Sequence, residues 1–381
     1  MSLQASLSAL SGLKIVDLSK VLGGPYCTQI LGDHGAQVIK IEPPSGDETR
    51  GWGVTIRERT SAYFMGVNRN KLGVSLNLGD AADRQQLFRL LEDADVLVEN
   101  YKPGTLERWG LNYEALKLRF PRLIHCRISG YGDQGPYSGM PGYDAAIQAM
   151  SGLMSINGEQ NGESLRVGVP IVDMVTGMNA TLGILMALHE RERSGEGQFV
   201  EAALFDCALS ILHPHSANYL YAGHTPRRSG NAHPNITPYD KFATATGDIF
   251  LAVGNDAQFS TLCHWLGLPT LIDDPRFSSN QLRNEHRETL RQALSPKLLE
   301  HDGEKLCEQL IHQGVPCGPV LDIPQALALP QVAAREMLVK IGQDYSGIAS
   351  PIRLSRTPAT YRLQPPLLNE HCAEVLRSNT D

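Results

Sequence analysis

Three features of the sequence predict an α/β fold with a mainly parallel sheet, followed by a smaller α+β domain. First, Leu13 to Leu18 and Val38 to Glu42 are short apolar runs flanking a helical pattern, a βαβ unit within about thirty residues. Second, strand-like and helix-like segments keep alternating as far as Ser129. Third, the character changes at Tyr221, where a polar, turn-rich stretch precedes a hairpin pattern and several helical ones. At 381 residues the chain exceeds one ordinary core, so two domains are the default.

The elements follow in order. Leu13–Ser19 reads as a buried strand, and Val21-Leu-Gly-Gly-Pro25 as the turn after it. Tyr26–His34 has helical spacing and stops at Gly35, a plausible residue for closing a helix. Val38–Glu42 is the second strand, ended by Pro43-Pro44. Gly23-Gly24-Pro25 departs from G-x-G-x-x-G and is read as a close-approach turn, not a dinucleotide fingerprint. Residues 44–60 form an ordered loop carrying Asp47, Arg50 and Trp52. Gly73–Leu78, Val96–Asn100 and Leu123–Ser129 are further strands, with an amphipathic helix over Asp80–Ala94 and a short one after Lys102-Pro-Gly. The apolar run Val167–Val172 leads into a helix over Asp173–Glu192. A strand at Phe199–Leu204 enters a helix around Asp206–Leu212. Beyond Tyr221, Phe242–Val253 reads as a hairpin turning at Gly247-Asp248, and 258–265, 284–299 and 303–312 as helices. Val315–Val320 is an extended exit, and the tail from Tyr361 ends in a short helix.

Composition excludes several classes of function. A net charge of −7 supplies no basic footprint for nucleic acid or an anionic membrane. Seven scattered cysteines without a C-x-x-C pair suit reduced thiols and argue against structural zinc or a disulfide framework. His213-Pro-His215 lacks further ligands at metal spacing, so no metal is expected. The start Met1–Leu7 has no signal-peptide pattern, and no uninterrupted apolar run reaches the roughly 18 residues of a membrane span. The expectation is a soluble, cytoplasmic protein.

Sites in parallel sheets lie outside the carboxyl ends of the strands. That rule draws together Leu22-Gly23, Asn100-Tyr101-Lys102, Ser129-Gly130-Tyr131 and Asp173, each placed just past an expected strand. Arg108 lies close enough along the chain to reach the same rim. Lys102 and Arg108 are phosphate grips or, separately, solvated surface charges. Asp173 has two readings. As an N-cap it accepts backbone N–H bonds at the positive helix end and stays ionised. As a nucleophile it is a carboxylate held at a strand-to-helix junction.

These segments together resemble the family III CoA-transferases, over essentially the whole chain. The markers are Val21-Leu-Gly-Gly-Pro-Tyr-Cys-Thr-Gln-Ile-Leu-Gly-Asp-His-Gly-Ala, Val38-Ile-Lys-Ile-Glu-Pro-Pro, Val98-Glu-Asn-Tyr-Lys-Pro-Gly, Ser129-Gly-Tyr-Gly-Asp-Gln-Gly-Pro, Gly142-Tyr-Asp, Gly195-Glu-Gly-Gln and Pro366-Leu-Leu-Asn-Glu-His. The resemblance implies a Rossmann-like large domain built from both chain ends, 1–220 and 326–381, around a small domain at 221–325. It implies an interlocked homodimer, CoA thioesters as substrates and no permanently bound cofactor. The family's nucleophilic aspartate falls on Asp173. Its CoA contacts fall on Asn100, Arg108, Gly130 and Tyr131, and on Leu22, Gly23, Leu76, Asn77, Tyr101, Lys102 and Ser129. Two departures separate the chain from the formyl-CoA branch: Leu22 replaces a catalytic glutamine, and Pro43 replaces an arginine near the CoA base. The long glycine-rich lid of that branch is absent, and Gly230-Asn231 is the comparable loop. The wording is closer to branches that pass CoA from succinyl-CoA or acetyl-CoA to small dicarboxylates.

The expected chemistry is covalent relay through Asp173, with Gly230-Asn231 and nearby helix-start N–H groups stabilising oxyanions. Arg69, Lys71, Arg227 and Arg228 are carboxylate partners for the acceptor acid or ordinary salt-bridging charges. One alternative is an α-methylacyl-CoA racemase of the same fold. It needs a base on each face of the α-carbon, and Tyr143 occupies the position of that family's histidine, with a reference pKa of about 10. The other alternative is a non-catalytic CoA-binding protein.

Overall fold

The structure, a computed structural model, describes residues 8–58 and 60–377. The N-terminal stretch expected to lack a signal peptide lies outside the described residues. The chain divides into two compact units. One runs to Leu153, resumes over Arg166–Leu220 and closes with the segment from Gln331. The other combines Met154–Leu165 with Tyr221–Pro330. The small unit thus takes in a stretch from within the expected 1–220 and reaches five residues past 325.

Six strands form the sheet of the large unit: β1 (Lys14–Asp17), β2 (Gln37–Glu42), β3 (Lys71–Ser75), β4 (Val96–Glu99), β5 (Ile124–Ser129) and β6 (Phe199–Ala203). Their order is β3-β2-β1-β4-β5-β6 and every pairing is parallel. The register sets Val16 against Ile39 on one side and Leu97 on the other. Alternate residues feed opposite faces, as the period of two requires. Ile15, Val38, Val96 and Ile124 join one core, whereas Val16, Ile39, Leu97 and Val74 join the other. Burial on both faces explains why these strands read as near-continuous apolar runs.

Helices cover the faces. They include α1 (Gly23–Asp33), α2 (Ala81–Leu91), α3 (Thr105–Trp109), α4 (Asp144–Met150), α5 (Ile171–Ser194) and α6 (Leu204–Ser210). Three expectations are corrected here. Helix α1 begins at Gly23 instead of Tyr26, so Gly23-Gly24-Pro25 is its first turn. Proline is tolerated there because first-turn N–H groups have no intrahelical partner. Strand β3 begins at Lys71, two residues early. Residues 166–170 are irregular, so no strand precedes α5. By length and composition alone α5 is apolar enough to cross a membrane, with a mean hydropathy of 1.6 over 18 residues. In this fold it packs on α1, β5, β6 and α6 through Ala180, Ile184 and Ala187.

A buried ion network links Asp17 at the end of β1 and Glu42 at the end of β2 to Lys40 within β2 and Lys71 at the start of β3. Lys71 pairs with Asp17 at 3.1 Å, Lys40 with Asp47 at 3.2 Å, and Arg50 with Glu42 at 2.6 Å. The C-terminal segment returns to the edge strand, where His371 and Gly73 exchange hydrogen bonds and Asn369 accepts from Ser75.

The small unit holds an antiparallel sheet of β7 (Tyr239–Thr244), β8 (Gly247–Ala252) and, later, β9 (Cys317–Pro319), ordered β9-β8-β7. The hairpin turns at Ala245-Thr246, since Thr244 pairs with Gly247, and not at Gly247-Asp248. Helices α7 (Asp256–Trp265), α8 (Arg287–Leu298) and α9 (Gly303–His312) pack Leu262, Leu290 and Leu306 with Ile249 and Leu251 in one core.

Candidate active site

The strand order reverses between β1 and β4, which makes the gap beyond their carboxyl ends the topological switch point where ligands bind such sheets. A cleft of about 360 Å³ opens there. Of the residues expected at the site, Leu22, Gly23, Asn100, Tyr101, Lys102, Ser129, Gly130, Tyr131 and Asp173 line it.

The β1–α1 turn forms one wall. Val21 adopts a left-handed φ of 70°, and its N–H donates to the Asp47 carboxylate, so the buried ion network fixes the turn. Asn100 clamps the turn to the end of β4: its Oδ1 accepts from Lys20 N at 2.9 Å and its Nδ2 donates to Lys20 O at 2.8 Å. Its amide is therefore a brace of the cleft wall. Tyr101 lies edge-on to Trp109, with the Lys20 ammonium 5.5 Å from its ring centre. Burial, then the Glu99 carboxylate, pushes the Tyr101 phenol up to about 12. Lys102 is exposed at the rim.

The opposite wall comes from the β5–α4 connection. Ser129 Oγ accepts the Gly132 N–H at 2.9 Å and shapes the turn. Gly130 and Gly142 touch backbone to backbone; a Cβ on Gly130 would lie 2.9 Å from Gly142 Cα. Tyr131 packs between Tyr137 and Phe205 at tilted angles, with ring centres 5.4 and 5.9 Å away.

Asp173 sits in the first turn of α5, next to the start of α1. A Cβ on Gly23 would come within 3.6 Å of Asp173 Oδ1, and a Cβ on Gly177 within 2.6 Å of Gly23 O. Glycine at 177 lets α1 and α5 approach this closely, and at 23 it leaves a tight but open contact with Asp173. The cap expectation is overturned. The helix starts two residues before Asp173, Pro170 supplies no side-chain cap, and the carboxylate that takes the first-turn N–H groups belongs to Asp144. With that role gone, Asp173 is not held in its low, ionised range. Burial, then the charge of Asp144, pushes its carboxyl up from 3.8 to about 7.

The remaining expected residues lie elsewhere. Leu76 is buried in the core beneath α2. Asn77 N–H donates to Asp83 and Asn77 Oδ1 accepts from Gly79, organising the turn into α2. Arg108 is exposed on α3 and does not line the cleft. Gly230 and Asn231 belong to the small unit, where Gly230 has a φ of +63° and its N–H donates to Gly158 O. Of the possible acceptor partners, Arg69 is buried against Asp33 and Lys71 against Asp17, so both are structural. Arg228 donates to Gly162 O and Ser164 Oγ. Arg227 is exposed. Sequence reasoning missed Lys20 and Glu48, which line the cleft, and the role of Asp144. Lys20 follows β1 as Lys102 follows β4, and the strand-end rule could have found it.

Fold and cleft define a doubly wound α/β protein with a protected carboxylate at its switch point. The chain belongs to CoA-transferase family III, whose profile matches residues 10–372, and it is an enzyme of that family acting on CoA thioesters and carboxylates. It is 41% identical over 378 residues to a succinate–glutarate CoA-transferase of Agrobacterium fabrum, covering 96% of this chain and 94% of that protein. It is also 41% identical over 333 residues to an acetyl-CoA:oxalate CoA-transferase of Acetobacter aceti, covering 87% and 85%. The solved structure of a CAIB/BAIF family protein from Brucella suis matches with a TM-score of 0.89 at 39% identity, covering 98% of this chain and 99% of that one.

Proposed function

We propose that this enzyme moves CoA from succinyl-CoA or acetyl-CoA to a small carboxylic or dicarboxylic acid through an Asp173–CoA thioester. The reading rests on one observation: the half-buried carboxylate of Asp173 faces the switch-point cleft beside the positive start of α1. An Asp173 oxygen attacks the donor thioester, the carbon–sulfur bond breaks, and CoA leaves as thiolate. The thiolate attacks the aspartyl carbonyl of the mixed anhydride, forming the enzyme thioester and releasing the donor acid as carboxylate. The acceptor carboxylate then attacks that thioester and expels CoA thiolate, which attacks the acyl carbonyl of the new anhydride and restores the Asp173 carboxylate. Every bond broken is replaced by one of similar energy, so the cycle needs position and oxyanion stabilisation. Lys20 and Lys102, flanking Tyr101 at the rim, suit the phosphates of CoA. The two relatives' donors and acceptors support succinate, glutarate and oxalate as the acids to test first.

The working unit is a homodimer, and the interlocked arrangement is the family's implication. Met178, Leu182, Leu185 and Met186 leave an apolar stripe exposed on α5, which favours a covering partner. The compartment is cytoplasmic, in keeping with seven free cysteines. The test of the chemistry is the Asp173→Ala protein assayed with succinyl-CoA and glutarate. We expect turnover to fall on the order of a thousandfold or more; wild-type turnover overturns the scheme.

A further inference from the structure

We propose that Asp144 is the positioning residue of Asp173: latched by Gln148, it grips the start of α5, and its charge primes the Asp173 carboxylate for attack. This rests on the reading of Asp173 as the nucleophile. Asp144 Oδ2 accepts the N–H of Val172 at 2.8 Å and of Asp173 at 3.2 Å. Its Oδ1 accepts from Gln148 Nε2 at 2.6 Å. Gln148 Oε1 in turn accepts the N–H of Val167 at 2.8 Å, tying down the irregular segment that leads into the helix. Asp144 and Gln148 are both buried.

The first-turn amides of α5 are thereby all accounted for. Ile171 N–H goes to Val169 O, Met174 N–H to Pro170 O, and the two between them to Asp144. Residues of α4 thus fix the backbone that carries the nucleophile. A helix needs such a cap, but an uncharged serine or asparagine would supply one. A buried carboxylate beside a second carboxylate costs free energy that a cap alone does not require.

That cost serves the reaction. When an Asp173 oxygen bonds to the thioester carbon and the carbon–sulfur bond breaks, negative charge leaves Asp173 and departs on sulfur. The like-charge repulsion from Asp144 is relieved in the same step, as it is in the neutral aspartyl thioester. A carboxylate of raised proton affinity is also the stronger nucleophile. Several groups surround Asp173 and its cleft. Asp144 comes from α4. Tyr63 follows β2, its phenol pushed up by burial and by Asp173, Asp144 and Asp47. Gly23 comes from α1, Ile128 from β5 and Leu204 from α6, none of them charged, and Lys20, Glu48, Lys102 and Tyr143 share the cleft.

The test compares pH profiles of kcat/KM for wild type, Asp144→Asn and Asp144→Glu, alongside hydroxylamine trapping of the wild-type acyl-enzyme. We expect D144N to lose at least tenfold in turnover and to shift its acid limb down by about one pH unit, as removal of a neighbouring like charge requires. D144E is expected to restore the wild-type limb. A D144N limb that coincides with wild type overturns the inference, because a purely structural cap would slow the enzyme without moving it. Gln148→Ala keeps the charge and loosens the latch, so it should turn over several-fold more slowly on an unmoved limb. Wild-type turnover in Q148A also overturns the latch. Absence of any trapped wild-type adduct would instead remove the covalent reading itself.

Discussion

Replacing Asp173 by asparagine should make the protein more stable, by an amount that grows with pH. The unfolded carboxyl releases its proton near 3.8, whereas burial and Asp144 hold it in the folded protein to about 7. A folded pKa raised above the unfolded one contributes stability that is complete below about pH 4 and is lost as the pH rises through 7. At roughly 1.4 kcal/mol per tenfold change in proton affinity, the full gap amounts to about 4 kcal/mol. Water reaching the carboxylate through the cleft reduces this, and about 2–4 kcal/mol is the working range. Asparagine has the shape of the protonated acid and no charge. D173N should therefore match wild type at pH 4 and exceed it by that margin at pH 8.5. Urea unfolding at both pH values, followed by tryptophan fluorescence, measures the difference; Trp52 and Trp109 lie in the same unit as Asp173. A stability difference of equal size at pH 4 and 8.5, or a D173N protein less stable at pH 8.5, refutes the reasoning.

Further outcomes follow from the cleft walls. Gly23→Ala should cut kcat several-fold with CoA binding retained, because its methyl would lie 3.3 Å from the Asp173 carbonyl oxygen and crowd the backbone that carries the nucleophile; equilibrium dialysis with CoA separates the two effects. Lys20→Ala with Lys102→Ala should raise KM for the acyl-CoA several-fold and weaken its salt dependence, leaving kcat within about twofold. Leu182→Asp, placed on the exposed stripe of α5, should lower the sedimentation coefficient from dimer towards monomer.

How much of this was legible in the sequence depended on the range of the forces involved. The strands around Ile15, Ile39, Leu97 and Ile124 stood out because burial on both faces demands unbroken apolar runs. The cleft was legible as well, since strand ends can be read once strands are. The start of α1 was misread because Gly23-Gly24-Pro25 carries turn chemistry that a helix's first turn also accepts. Asp173 was misread as a cap for a different reason. Its own position in the sequence satisfies the capping rule, but the carboxylate that caps α5 lies 29 residues upstream at Asp144. No local spacing reveals such a partner, and with it the sign of the Asp173 pKa shift reversed. Leu76 and Arg108 stand apart from the cleft lining, because resemblance carries over positions, whereas the fold decides which side chains face the cleft.

The central claim is that CoA becomes bonded to Asp173 during turnover. Acid-quenching the enzyme within its first turnovers on succinyl-CoA, digesting it and weighing the peptides tests this directly. The account predicts a CoA adduct on the peptide containing Asp173, discharged by hydroxylamine and by glutarate and absent from D173A. Full turnover with no adduct on that peptide, or the same adduct in D173A, would contradict it.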